Sequence, residues 1–295
     1  MDTNSELSNN TAVLLISHGS TLPYGEETFR EIKEKFKKKS NLSCEVGYMK
    51  VSTPTIAGAF EVLKKESDDL KRVIALPVFL APGIHTKIDI PILLGLEPLE
   101  KDPRCPDGNY PAGHYLSIAD DVDFDGEIEL LSPIGPDERL VDIINKRIEE
   151  ALADSKLNEA KTGILIISHG SRLKYNREFT QNLFNKFKKT TAYPCSFGFM
   201  ELCGPGIPES VTKLTDENDI ERLIVVPVFI APGMHTTHDI PHILGLSENH
   251  THTHSHDHTH DLTPIDFDGE VLYPNPIGAD DILIDILISK VNEKL

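Results

Sequence analysis

Short apolar runs of strand length alternate along this chain with longer segments whose apolar residues recur at helical spacing. The run AVLLIS at 12–17 ends in His, Gly and Ser, as a buried strand does where it leaves the sheet. Over 26–39, Phe29, Ile32 and Phe36 share one face and lysines occupy the rest, which predicts an amphipathic helix. CEVGYM at 44–49 predicts a second strand, and a helix begins near Pro54 with Ile56, Phe60 and Leu63 as its stripe. RVIALPVFL at 72–80 is a third strand. Pro77 within it has no N–H for a ladder, so a bulge or a strand end is expected there. A Pro-, Gly- and Asp-rich loop of some thirty residues follows Gly95, then EIELLSPIG, then a helix at about 137–152 with Leu140, Ile144 and Ile148 on one face.

The same plan then recurs. Residues 78–96, VFLAPGIHTKIDIPILLGL, match 228–246, VFIAPGMHTTHDIPHILGL, at thirteen of nineteen positions with a constant offset of 150. LLISHGS returns in GILIISHGS, EVGYMK in SFGFME, FDGE at 124–127 in 267–270, and SPIG in NPIG. The chain is therefore a tandem repeat, divided by the polar linker ALADSKLNEAKT into 1–155 and 156–295. Strand and helix alternate in each half, so each is expected to be an α/β domain with a parallel sheet flanked by helices.

Composition changes this picture little. An apolar fraction of 39% lets each half bury a core, and a net charge of −18 argues against nucleic acid or an anionic membrane as partner. The N-terminus has no basic segment before its apolar run, and no stretch approaches a membrane span, so a cytoplasmic protein is expected. Cys44, Cys105, Cys195 and Cys203 form no C-x-x-C pair, and Cys44 and Cys195, at equivalent positions in apolar runs, are expected to be buried.

The candidate chemistry sits at strand ends. Ligands of open parallel sheets bind beyond the carboxyl ends of the strands. His18 and His169 stand where the first strand of each half runs out, and His85 and His235 just past the third. A lone histidine is commonly structural, but the same pair recurs beside glycines in both halves. Such imidazoles are ligands for cobalt, nickel, zinc or iron(II), and usable bases near pH 7.

These residues carry a resemblance. ISHGS, a strand ending in F-M-E, the V-P-V-F-[LI]-A-x-G-x-H-T-x-x-D-I-P motif and a following P-I-G, over nearly the whole chain, resemble the CbiX-type class II tetrapyrrole chelatases in their double-length form. That family includes sirohydrochlorin cobalto-, nickelo- and ferrochelatases. The resemblance implies two flavodoxin-like domains facing across a cleft, in a monomer that uses both repeats to form it. It implies metal contacts at His18 and His85 and at His169 and His235, and a carboxylate kept as Glu201 in the second half but replaced by Lys50 in the first. On chemistry the set His169, Glu201 and His235 is favoured as the working one. The polycarboxylate substrate implied needs basic contacts, for which Lys50, Lys87, Arg172, Lys174 and Arg177 are candidates.

The expected function is insertion of cobalt(II) into sirohydrochlorin with release of two protons, on an anaerobic route to cobalamin. Nickel and iron are the alternatives, and a metal-storage or metal-delivery protein is the reading from another class. The ion is then substrate, with no permanently bound cofactor. The His-rich loop 249–261 carries His250, His252, His254, His256, His258 and His260 in alternation, a multidentate trap expected to gather metal; His238 and His242 extend that metal-rich surface.

Overall fold

The computed structural model describes residues 10–157, 159–247 and 263–295. The His-rich loop therefore lies outside the described residues. In the first repeat β1 (Thr11–Ser17), β2 (Ser43–Tyr48), β3 (Arg72–Pro77) and β4 (Glu127–Leu130) form one wholly parallel sheet in the order β2-β1-β3-β4. The helices are α1 (Pro23–Ser40), α2 (Ile56–Glu66) and the short α3 (Ile90–Leu93). The second repeat places β5 (Thr162–Ser168), β6 (Cys195–Phe199), β7 (Arg222–Pro227) and β8 (Glu270–Leu272) in the corresponding order β6-β5-β7-β8. Its helices are α5 (Lys174–Phe187), α6 (Ile207–Glu217) and α7 (Ile240–Ile243); α4 (Arg139–Ala153) and α8 (Asp281–Asn292) close the two repeats.

Local chemistry accounts for the elements. Every residue of β1 and β5 is buried, as central strands covered on both faces require. Helix α1 starts at Pro23, whose missing N–H costs nothing there, and stops at Asn41, which takes the left-handed conformation with its N–H on the Lys37 carbonyl. Phe29, Ile32 and Phe36 are its buried face, each contributing about 1.5–3 kcal/mol by leaving water. Pro77 ends β3 opposite Ile16, as its lack of an N–H demands. Cys44 is buried, which pushes its thiol pKa up, whereas Cys195 is only half-buried at the start of β6; no cysteine is in a disulfide.

The repeat boundary is not the packing boundary. The compact units are 1–135 with 279–295, and 136–278. The expected division at 155/156 separates the repeats, but the closing helix of each is built into the other unit. Helix α4 packs on α5 and β7, and its Arg147 donates to the carbonyls of Pro276 (3.1 Å) and Ile277 (2.7 Å). Helix α8 packs on α1 and β3, where Lys39 meets Asp285 at 2.8 Å. Apolar periodicity shows that a helix has a face to bury, without naming the sheet that buries it. Among the described residues no helix is long and apolar enough to cross a membrane.

Candidate metal site

In each sheet the strand order reverses direction between the first and third strands, and there the carboxyl ends leave a crevice. His18 and His169 leave β1 and β5 on one side of it; His85 and His235 arrive from the loops after β3 and β7 on the other. The rings meet edge-on in both units, with centroids 5.0 Å apart for His18 and His85 and 4.9 Å for His169 and His235. The sequence-based pairing of histidines is thus observed twice.

Backbone geometry aims these rings. Gly19 and Gly170 have φ of +89° and +94°, and a Cβ on either would stand 1.9 Å from the carbonyl oxygen of Lys50 or Glu201, so only glycine fits. This close approach lets the Lys50 and Glu201 N–H groups donate to the His18 and His169 carbonyls. On the other side, His85–Asp89 and His235–Asp239 are single wide π-helical turns, a form that clusters at functional sites.

The turn supplies a residue that the sequence reading passed over. His85 Nδ1 donates to Asp89 Oδ2 at 2.5 Å, and His235 Nδ1 to Asp239 Oδ2 at 2.7 Å. His18 and His169 donate from Nδ1 to the carbonyls of Gly19 and Gly170, each at 3.0 Å. A carbonyl or carboxylate oxygen only accepts, so all four rings carry a proton on Nδ1 and leave Nε2 as the outward-facing nitrogen. The H-T-x-x-D spacing, four residues on a helical turn, was the available signal.

The two sites then diverge. In the second unit Glu201 brings Oε1 within 3.1 Å of His169 Nε2, and ligand atoms of His169, Glu201 and His235 all lie within 4.8 Å of one another. Two acceptor atoms this close need a cation between them, either a proton or a metal ion. The Glu201 side chain is 12% exposed, while the two imidazoles keep 39% and 35% exposure, so the set is open on one side. Among the described residues no other group of three or more His, Cys, Asp or Glu meets this geometry, and His238 and His242 are outside it.

In the first unit Lys50 takes the position of Glu201, with its ammonium 5.2 Å from the centre of the Tyr115 ring. Burial lowers the Lys50 pKa, against the pull of Asp89. The long loop after Gly95 folds back onto Asp89. Arg104 pairs with fully buried Asp89 and with Asp102 (2.7 Å), Tyr115 donates to Asp89 at 2.5 Å, and Tyr110 to Asp102 at 2.7 Å. Burial alone would raise the Asp89 carboxyl, yet hydrogen bonds from His85, Arg104 and Tyr115 hold it below the ordinary range. The Arg104 hydrogen bond holds Asp102 well below it, and burial with the Asp102 contact pushes Tyr110 up to about 12.

The basic candidates separate. Lys87 is paired with Glu100, and Lys174 is exposed with Glu178 at 3.5 Å. Arg177 donates to the Gly204 carbonyl at 2.7 Å and thereby braces the loop that follows Glu201. Arg172 is exposed two residues beyond Gly170.

Comparison with known proteins agrees with this construction. The family model described as CbiX matches residues 12–151 and again 163–294. A protein of Methanothermobacter thermautotrophicus named sirohydrochlorin cobaltochelatase is 40% identical over 143 residues, 48% of this chain and 99% of that protein. One of the same name from Methanocaldococcus jannaschii is 45% identical over 137 residues, 43% of this chain and 95% of the relative. The solved structure of SirB from Bacillus subtilis with Fe3+ superposes with a TM-score of 0.66 at 18% identity, covering 96% of this chain and 95% of that one, which supports the fold. With both repeats matched, the chain belongs to the CbiX family.

Proposed function

We propose that this protein is a sirohydrochlorin chelatase whose working metal site is His169, Glu201 and His235. The observation that carries this is the convergence of three ligand atoms within 4.8 Å on partly exposed side chains at the strand ends. Two imidazoles and one carboxylate hold a divalent ion by few bonds, so it can be released; a closed four-ligand site would retain it. Glu201 and Asp239 place two negative charges around the pair, which suits a divalent ion. Around His18 and His85, Arg104 offsets Asp89 and Lys50 adds a positive charge, which does not.

Insertion exchanges two pyrrole protons for one divalent ion. The His235 ring is oriented by Asp239 and the His169 ring by the Gly170 carbonyl, so both Nε2 lone pairs meet the incoming ion without rearrangement. When the ion passes to the macrocycle, His169 Nε2 and Glu201 become the nearest bases for the released protons. Holding ion and ring face to face converts a bimolecular exchange into a local one.

Cobalt(II) is our first choice of ion, supported by the names of the relatives at 40% and 45% identity, on an anaerobic route to cobalamin. Nickel and iron(II) share this ligand chemistry. Histidines 250–260 act in this reading as a gathering tract for the metal. The test is purified protein with sirohydrochlorin and each of the three ions, followed by tetrapyrrole absorption. Acceleration over the uncatalysed control supports the reading, and none with any ion refutes it. Metal bound without any turnover would favour storage or delivery.

A further inference from the structure

Three non-glycine residues among those described have positive φ: Asn41, Val51 and Leu202. Asn41 caps a helix, where such a conformation is ordinary. The other two occupy the same position of the two repeats, one residue beyond Lys50 and Glu201. Each is the centre of a three-residue turn, with Ser52 N–H donating to the Lys50 carbonyl and Cys203 N–H to the Glu201 carbonyl, both at 2.8 Å. Val51 has φ +58° and Leu202 φ +65°, a conformation that bulky side chains disfavour and that glycine or asparagine adopts at little cost.

Both positions nevertheless carry an apolar side chain, and both point it into water: Val51 is 65% exposed and Leu202 44%. No core contact explains the choice. In the second unit Met234 adds another exposed apolar side chain, at 42%, immediately before His235. Glu201 and His235 hold ligand atoms within 4.8 Å, and Leu202 and Met234 are their immediate chain neighbours on the two loops that bring those ligands together.

We propose that Leu202 and Met234 form the apolar seat on which a conjugated tetrapyrrole rests its face, registering the ring centre over His169, Glu201 and His235. This rests on the chelatase reading and specifies how that site takes its organic substrate. A tetrapyrrole is polar at its carboxylate-bearing rim and apolar across its faces. Ligands at the centre of the site need apolar neighbours beside them if the ring is to lie flat and exclude water. A thioether against a conjugated face is favourable. The turn fixes the backbone of Leu202 directly after Glu201 in the free protein, so the seat needs no backbone rearrangement on binding.

The experiment titrates metal-free sirohydrochlorin into the full chain, reading its absorption and fluorescence, for wild type, Leu202→Ala, Leu202→Gly and Met234→Ala. Thermal midpoints, cobalt(II) affinity and steady-state kinetics are measured on the same samples. Each Ala variant should weaken ring binding about ten-fold and raise KM in proportion, with kcat and cobalt affinity within about two-fold. Leu202→Gly should lose ring binding to the same extent while its thermal midpoint rises, because glycine relieves the left-handed turn. A merely structural leucine would not move those two quantities in opposite directions. Unchanged ring affinity in the Ala variants, beside a wild type that binds and metallates, overturns the seat alone. So does a loss of self-association in the variants with ring affinity intact, since the apolar side chains would then serve a second copy. A wild type that neither binds nor metallates the ring overturns the chelatase reading and the seat with it.

Discussion

His169 Nε2 faces Glu201 Oε1 across 3.1 Å, and the Nδ1 of the same ring is already committed to the Gly170 carbonyl. With Nδ1 so committed, the Nε2–Oε1 contact is complete only with a cation between the two atoms, a proton or a metal ion. Replacing Glu201 by Gln removes the charge and keeps the shape. Metal insertion at saturating sirohydrochlorin should fall by at least about a hundred-fold. His169→Ala and His235→Ala should match that loss, and His18→Ala and His85→Ala should cost no more than about ten-fold. Equal losses from both pairs would refute the assignment of one working unit.

Asp239 acts through His235 by fixing its tautomer. Asp239→Asn should weaken cobalt(II) binding about 10- to 100-fold with the fold intact. Calorimetric titration of a chain whose histidines 250–260 are replaced by serine isolates the site from the tract. Undiminished affinity would reduce Asp239 to a surface residue.

Lys50 and Glu201 are equivalent positions with opposite charge. Lys50→Glu should give the first unit the ligand set of the second, raising cobalt(II) stoichiometry by one in the same tract-substituted chain. An unchanged stoichiometry would mean that Tyr115 and Arg104, and not the charge of residue 50, decide the matter.

Asp89 and Asp102 have depressed folded-state pKa values, so they bind protons less readily folded than unfolded. Their stabilisation is fully present above the ordinary carboxylate value of about 4 and is lost as pH falls through their lower folded values. The thermal midpoint should therefore drop steeply on acidification below about pH 4, and less so in Asp102→Asn, which has no such carboxylate to protonate. Parallel curves for the two proteins would refute the role of this network.

Much of the site was legible in linear order. The recurrence of HGS and of the motif ending H-T-x-x-D marked the four histidines, because strand ends in a parallel sheet are where ligands bind, and both pairs close to within 5.0 Å. Asp89 and Asp239 were not read, although their spacing from the histidines is that of one helical turn. Arg104 and Tyr115 could not have been, since nothing local says that a polar loop will fold back onto Asp89. The acidic neighbours of Lys87 and Lys174, Glu100 and Glu178, became apparent only in the fold.

The sequence by itself determined the strands and helices, the duplication and the chemistry at each strand end, because apolar periodicity and glycine requirements are local properties of the backbone. Tertiary structure decided two things. It assigned α4 and α8 to the opposite units, because an amphipathic face binds whichever sheet is uncovered near it. It also gathered three candidate ligand atoms around one histidine pair and placed Lys50, Asp89 and Arg104 near the other, because only packing sets which charges stand within reach of two rings.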